Sequence, residues 1–211
     1  MCNLYKLRRS AEEVAQLFEA EPQPGANFAE EIYPGHPGLV LESGRVRAMT
    51  WGFPLEMTGK RGQPLKPKAV TCAREDKLHT PFWRTSFAVR RCLIPVTAWA
   101  EAEGEPGRMT RTWHAVPGGE AFAVAGLWRP TVIWGDAFAM VMVESCAHMI
   151  DVHDRMPVIL PSTTWDQWQS GTPEEAFALC QTWPGALEIE RTEVPWSARP
   201  PAPGKAAQPP L

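Results

Sequence analysis

The chain has 211 residues, a hydrophobic content of 44% and a formal net charge of −3. This length and composition predict one domain with a substantial apolar core, and the acidic balance argues against indiscriminate binding to nucleic acid. The apolar runs are too short to cross a bilayer and no signal sequence opens the chain, so we expect a cytoplasmic protein without a membrane partner.

The cysteines and histidines argue against disulfides and metals. Five cysteines are spread along the chain without a CxxC pair, at positions 2, 72, 92, 146 and 180. This spacing is untypical of a disulfide framework or a zinc ribbon. The five histidines have no HExxH-like spacing. We therefore expect no metal site and no cofactor.

The first elements predicted in chain order are a helix and a hairpin. Ser10, followed by Glu12 and Glu13, is typical of a helix start, and the helix is expected to end before Pro22. Residues 38–49 predict a hairpin with its turn at 42–44.

The remaining pattern predicts strands with a few helices between them. We expect a basic loop at 58–68, strands at 69–74, 91–102, 112–116, 121–128 and 138–143, and helices at 82–87, 163–168 and 173–180. The Pro- and Ala-rich residues 197–211 predict a disordered tail. The fold class expected for residues 1–196 is a single α+β domain, mainly antiparallel strands curled into a barrel-like core with peripheral helices.

The charge is unevenly distributed. Residues 60–91 contain nine basic and two acidic residues, a net +7, and the rest of the chain carries −10. Such asymmetry is typical of a polyanion-binding groove on an acidic body, although a solvated loop can have the same composition.

Cys2 is the first residue with distinctive chemistry. Removal of Met1 by aminopeptidase would leave an α-amine beside the thiol, and such an aminothiol condenses with aldehydes to a thiazolidine. Both groups titrate near neutral pH, at about 8 for the amine and about 8.5 for the thiol. From its position alone, a chance cysteine beside the initiator Met explains Cys2 equally well.

Two further residues have the chemistry of acid–base catalysts. Glu101 follows an apolar strand, where a carboxylate is costly unless it belongs to a site or is paired. His153 lies between Asp151 and Asp154, which can orient the ring and tune its pKa. A surface acid at a strand end and a loop histidine with a local partner are the alternatives.

These residues lie in segments that together resemble the SOS response-associated peptidase (SRAP) family. The segments are Cys2 itself, Trp-Gly-Phe-Pro from Trp51, Ala-Arg-Glu from Ala73, the run from Cys92 to Glu101, and His-Asp-Arg-Met-Pro from His153. They occur in the family's order and span residues 1–165.

The resemblance implies a sensor of abasic sites in single-stranded DNA, acting in the DNA damage response. Cys2 would form the covalent DNA–protein crosslink, Glu101 would orient or deprotonate its α-amine, and His153 would move protons. As DNA contacts, the resemblance implies Arg74 and Arg84 at phosphates and Trp51 and Phe53 at bases.

The chain departs from the family pattern beside the expected nucleophile. Cys72 stands where the family usually has an Asn that helps to hold the reacting sugar, and a thiol is a poor hydrogen-bond donor. We therefore expect Cys72 to belong to the catalytic site. It would also lie close enough to Cys2 to form a disulfide under oxidation, unless it is only a small buried filler.

Two other functions remain open for a chain of this composition. Cys2, His153 and Glu101 could form a thiol hydrolase or peptidase, with the thiol attacking an amide. Alternatively, the basic segment could bind single-stranded DNA without a covalent step. In each case we expect a monomer.

Overall fold

The structure is a computed structural model that describes residues 2–24 and 28–198. Residues 199–211, which make up most of the expected disordered tail, lie outside this range, as does Met1. No helix among the described residues is long and apolar enough to span a membrane.

In the part of the chain that the structure describes, four short α-helices and two 3₁₀ helices surround the strands. The α-helices are α1 (Ala11–Leu17), α2 (Arg84–Val89), α3 (Trp165–Ser170) and α4 (Pro173–Ala178), and the 3₁₀ helices are Glu75–Lys77 and Ser162–Thr164. The strands are β1 (Tyr5–Lys6), β2 (Glu21–Pro22), β3 (Glu31–Ile32), β4 (Pro37–Glu42), β5 (Arg45–Trp51), β6 (Phe53–Thr58), β7 (Pro64–Val70), β8 (Cys72–Arg74), β9 (Arg91–Val96), β10 (Ala98–Glu103), β11 (Thr110–Ala115), β12 (Phe122–Thr131), β13 (Gly135–Glu144), β14 (Arg155–Pro157), β15 (Ile159–Leu160) and β16 (Glu188–Pro195).

Five strands form a closed barrel. Antiparallel pairing joins β5, β4, β9, β12 and β13 in that order, and a parallel contact between β13 and β5 closes the ring. Every residue of β9 is buried, as expected for a strand inside the core. The expected α+β fold with a barrel-like, mainly antiparallel core is thereby confirmed.

A second sheet carries the amino-terminal segment past the barrel. Its strand order is β16, β11, β10, β1 and β3. The register places Tyr5 opposite Trp99, and the amide of Ala100 donates to the carbonyl of Leu4 at 2.9 Å. The residues that follow Met1 therefore run beside β10, the strand that contains Glu101.

Local sequence explains the first helix and the first hairpin. The Ser10 hydroxyl accepts from the amide of Glu13, and the Glu13 carboxylate accepts from the amide of Ser10, so a complete capping box begins α1. In the turn between β4 and β5, Ser43 and Gly44 have positive φ angles of 51° and 73°. Two consecutive left-handed residues suit the twist of a tight hairpin. Both predictions are confirmed.

Two segments differ from expectation. The predicted basic loop at 58–68 is wrong, because most of it belongs to a two-stranded ribbon formed by β6 and β7. Pro64 and Pro67 make the sequence of β7 resemble that of a loop, but a strand with an unpaired edge tolerates proline. Strand β16 was not predicted either. It is largely exposed and charged, and only its pairing with β11 makes it a strand.

The guanidinium of Arg91 ties two helices to the barrel. It donates to the carbonyl groups of Phe87, at 2.6 Å, and Ala88, at 3.0 Å, near the end of α2. It also donates to the carbonyls of Trp168 and Gly171 near the end of α3. Carbonyls at helix ends lack partners within their own helix, so one buried cation satisfies both ends.

Replacing Arg91 with Met should therefore lower the free energy of unfolding by about 3 kcal/mol, because several hydrogen bonds to a charged group are lost. Equilibrium unfolding in urea measures this change. Arg90→Met is the matched control, since the Arg90 guanidinium is half-buried and lies 6.0 Å from the Trp128 ring. Equal losses in the two variants would contradict the assigned role of Arg91.

Candidate active site at the amino terminus

The backbone of Cys2 is held by Thr71, which lies between β7 and β8, and by Cys72, the first residue of β8. The carbonyl oxygen of Cys2 accepts from the Thr71 hydroxyl at 3.3 Å and from the Cys72 thiol at 3.4 Å. Thr71 is itself fixed, because its carbonyl accepts from the Met140 amide at 2.9 Å and from the Trp51 indole at 3.3 Å. The structure therefore places Cys72 beside Cys2, where the sequence predicted it.

Thr71 was missed by the sequence analysis. It precedes the motif residues, and nothing in its neighbourhood distinguishes it from an ordinary strand threonine. Its role depends on a contact across 69 positions of the chain.

Burial favours the protonated form of both thiols. Burial raises the pKa of Cys2 well above its usual range, and the nearby Glu101 and Cys72 add to this shift. Burial likewise raises the pKa of Cys72 to about 12. Both cysteines are free thiols, and their low thiolate content disfavours rapid oxidation to the disulfide that the sequence suggested.

Glu101 lies on β10 with 2% of its surface exposed. Burial raises the pKa of its carboxyl to about 7, and the neighbouring Asp154 acts in the same direction. A carboxyl with this pKa can both accept and release a proton at neutral pH.

His153 faces Glu101. Its Nε2 atom lies 3.9 Å from a carboxylate oxygen of Glu101, and its Nδ1 atom accepts from the amide of Arg155 at 2.9 Å. The same Nδ1 atom also lies 3.2 Å from the carbonyl oxygen of Arg155 and 3.2 Å from a carboxylate oxygen of Asp154, so the backbone of Arg155 and the side chain of Asp154 orient the ring. Burial lowers the pKa of His153, so the ring is neutral near physiological pH.

A salt bridge joins the two motifs that flank the site. Arg155 donates to both carboxylate oxygens of Glu75 at 3.0 Å, and both side chains are largely shielded from solvent. Glu75 follows Cys72 by three positions and Arg155 follows His153 by two, so this pair fixes the two candidate catalytic segments relative to each other. The presence of Glu75 in the Ala-Arg-Glu motif was the only sequence feature that pointed to it.

The two expected phosphate contacts are placed differently. Arg74 ends β8, two positions after Cys72, and its exposed guanidinium forms a bidentate pair with Asp76 at 2.9 Å. Arg84 begins α2 and is exposed beside a groove that also includes Phe87 and Phe177. Among the described residues, no hydrogen bond or salt bridge links Arg84 to Cys2, Glu101 or His153.

Trp51 and Phe53 do not suit the expected contact with bases. Neither has any exposed surface. Trp51 donates to Thr71 and packs edge-on against Tyr5, with ring centroids 4.9 Å apart, and Phe53 lies 5.2 Å from the Trp83 ring. The reason for this correction is that the aromatic residues of a Trp-Gly-Phe-Pro segment can pack in a core as well as contact bases. Here both rings are buried in the core.

The residues brought together are therefore two neutral thiols, a carboxyl that titrates near neutral pH and a neutral imidazole. Within residues 2–24 and 28–198, no group of three or more His, Cys, Asp or Glu side chains could hold a metal ion. The arrangement is suited to moving protons at the amino terminus. Cys2 and Glu101 are both buried in this structure.

Solved structures share this fold. A protein from Bordetella bronchiseptica is similar with a TM-score of 0.76 and 20% identity, over 90% of this chain and 99% of that one. A protein from Bacteroides thetaiotaomicron gives a TM-score of 0.74 and 16% identity, over 90% and 91% of the two chains. A phage-related protein from Bordetella bronchiseptica gives 0.67 and 18%, over 90% and 94%. At these identities the likeness concerns the fold alone.

A comparison with curated protein sequences finds no significant match. The sequence model of the SOS response associated peptidase (SRAP) family, however, matches residues 1–195, which include the complete barrel and all four candidate catalytic residues. The chain belongs to the SOS response associated peptidase family.

Proposed function

We propose that this protein forms a covalent crosslink with abasic sites in single-stranded DNA through Cys2, once Met1 has been removed. The observation that carries the proposal is the buried Glu101, with a carboxyl pKa of about 7, beside the amino-terminal cysteine and 3.9 Å from His153. An amine that condenses with an aldehyde needs a group that takes and returns protons near neutral pH.

The proposed reaction begins at the α-amine of Cys2. The amine adds to the aldehyde carbon of the ring-opened deoxyribose, and the resulting carbinolamine loses water when Glu101 returns a proton to its hydroxyl group. The Cys2 sulfur then adds to the iminium carbon, and the thiol proton passes to the Glu101 carboxylate. A thiazolidine and one water are formed, and no atom is oxidised or reduced.

A protonated thiol is compatible with this order of steps. The amine attacks first, so the sulfur needs to lose its proton only as the carbon–sulfur bond forms. His153, whose Nε2 atom lies 3.9 Å from a carboxylate oxygen of Glu101, can help to hold this carboxylate in place between the two proton transfers.

Charge near the site supports a DNA substrate. Arg74 lies two positions from Cys72, and its exposed pair with Asp76 is worth little energy, so a phosphate can replace Asp76. The surrounding segment 60–91 has a net charge of +7.

A thiol hydrolase is less well supported. Such an enzyme needs a thiolate paired with an imidazolium. Here the Cys2 thiol donates to the carbonyl of Leu4 at 3.5 Å, its pKa is raised, and His153 faces Glu101 instead. A purely non-covalent DNA-binding module would not require a buried carboxyl group at the amino terminus.

Cys2→Ala should abolish the crosslink, because both the sulfur and the ring closure are lost. The measurement is a denaturing gel of protein mixed with single-stranded DNA that carries one abasic site, with intact mass confirming removal of Met1. Cys180→Ala is the matched control, since it removes another buried thiol outside the site and should leave the crosslink unchanged. A heat-stable adduct in Cys2→Ala, or turnover of peptides without any adduct, would refute the proposal.

Glu101→Gln should slow crosslinking and reduce its pH dependence around neutrality. In the native protein the carboxylate fraction rises through a pKa of about 7, so the rate should increase between about pH 6 and about pH 8. The variant cannot accept the proton and should keep only the part of the increase that comes from deprotonation of the α-amine, whose pKa is about 8.

The same substitution should stabilise the fold at high pH, because the folded-state pKa of Glu101 lies above the ordinary value of 4.5. Between about pH 4.5 and about pH 7, Glu101 loses its proton in the unfolded chain but keeps it in the folded protein, so stability falls as the pH rises. Glu101→Gln should therefore gain up to about 3 kcal/mol above about pH 7 and little below about pH 5. Urea unfolding at the two pH values checks this. A variant that is destabilised at high pH would mean that Glu101 is structural.

Cys72→Asn should accelerate crosslinking on the order of ten-fold, since an amide donates a stronger hydrogen bond than a thiol to the reacting sugar. Single-turnover rates at saturating DNA provide the measurement. Cys72→Ala, which removes the donor, should be slower than both. If Asn is no faster than Ala, the hydrogen-bonding role of position 72 is wrong.

A further inference from the structure

The ribbon of residues 53–70, here called the basic arm, is built unlike the rest of the molecule. Strands β6 and β7 pair with each other and form their own two-stranded sheet. Beyond Phe53 and Pro54, all of β6 is exposed, and most of β7 is exposed as well. A two-stranded ribbon exposed on both faces adds little to the core, so its stability must come from its base.

The base of the basic arm is firmly attached. Gly52 has a φ angle of 109°, and a Cβ atom there would lie 2.7 Å from the side chain of Ala69, so only glycine permits this close crossing. Phe53 packs in the core beneath the guanidinium of Arg129, which lies 4.1 Å from the ring centroid. The arm therefore projects from a fixed point.

The charge of the basic arm is not neutralised by the protein. It carries four basic residues and one acid, Glu56, on a chain with a net charge of −3. Among the described residues, no salt bridge involves any of the four, whereas exposed cations elsewhere, such as Arg8, Arg45 and Arg108, each contact a carboxylate. The four basic residues are Lys60, Arg61, Lys66 and Lys68.

One face of the basic arm, here called its apolar face, carries an apolar strip. Leu55 and Met57 lie two positions apart on β6, and Met57 lies opposite Leu65. The register shifts between Leu55 and Met57, and Lys68 lies opposite Leu55 at the border of the strip. Leu55, Met57 and Leu65 are 39%, 40% and 47% exposed. An apolar strip bordered by cations suits a partner that is anionic on its edges and apolar between them.

We propose that the basic arm is a DNA-binding element that enters a groove of duplex DNA. A two-stranded ribbon fits the width of a DNA groove, lysines neutralise the phosphates along it, and Leu or Met side chains are used as wedges between base steps. Residues 54–70 contain no aromatic side chain, which single-strand binders use to stack bases, so the composition favours duplex over single-stranded DNA.

The arm is continuous with the candidate active site. Strand β7 ends at Val70, and the next two residues hold the carbonyl of Cys2. Duplex DNA bound along the arm would therefore lie next to the site. The inference concerns non-covalent binding of undamaged DNA, so it does not depend on the crosslinking reaction proposed above.

The test measures binding of a short intact duplex, without any lesion, as a function of salt concentration. Replacing Lys60, Arg61, Lys66 and Lys68 with Gln should reduce the slope of log affinity against log salt by about 3 to 4, and the affinity in low salt by about ten-fold or more. The matched control replaces Arg8, Arg9, Arg45 and Arg108 with Gln, which changes the net charge equally but leaves the arm intact.

A second variant tests the apolar face. Met57→Ser combined with Leu65→Ser should weaken duplex binding without changing the salt slope, because no phosphate contact is lost. Both side chains are exposed, so thermal unfolding should match that of the parent protein. A single-stranded oligonucleotide of the same length should be affected less than the duplex by either change.

Three results would overturn the proposal: equal losses in the arm variant and its charge-matched control, a larger loss for single-stranded than for duplex DNA, or no duplex binding by the parent protein in low salt. If the protein crosslinks to abasic DNA but the arm variant binds duplex DNA as well as its control does, only the proposed role of the basic arm is rejected. If the arm variant loses duplex binding but the parent protein forms no crosslink, only the crosslinking function is rejected.

Discussion

Strand β13 is the common partner on which both the fold and the candidate site depend. Its parallel contact with β5 closes the barrel, and farther along the same strand Met140 pairs with Cys72 and Val143 pairs with Met156. Residues 72 and 153, far apart in the chain, are therefore brought to one end of the barrel by the ladder of a single strand. The salt bridge between Glu75 and Arg155 then fixes the two segments to each other.

The amino terminus is placed by a second, independent set of contacts. The short strand β1 pairs with β10, so Cys2 runs beside the strand that carries Glu101. Thr71 and Cys72 then hold the Cys2 carbonyl. Burial at this junction has a cost, because it keeps Glu101 partly protonated and both thiols neutral. That cost is consistent with a site whose carboxyl group exchanges protons near neutral pH, since function and stability often conflict at such positions.

The residues of the candidate site could be predicted from motifs and from the family resemblance. Their chemistry singled out Cys2, Glu101 and His153 one by one, and the resemblance to the SRAP family joined them to one another and to Cys72. The structure brings the four together. The closed barrel followed from the alternation of short apolar strands and turns. Trp51 and Phe53 were harder, because an aromatic side chain has the same appearance in a sequence whether it contacts a base or fills a core, and burial alone distinguishes the two.

By itself, the sequence determined those properties that are local or chemical: the capping box at Ser10, the turn at Ser43 and Gly44, the family, and the identity of the reactive groups. Tertiary structure alone decided the anchoring role of Thr71, the pairing of Glu75 with Arg155, and the raised pKa of Glu101, because each arises from contact or burial between segments distant in the chain. The basic arm belongs to the second group. Its prolines and charges are typical of a loop, and only the cross-strand register makes it a ribbon.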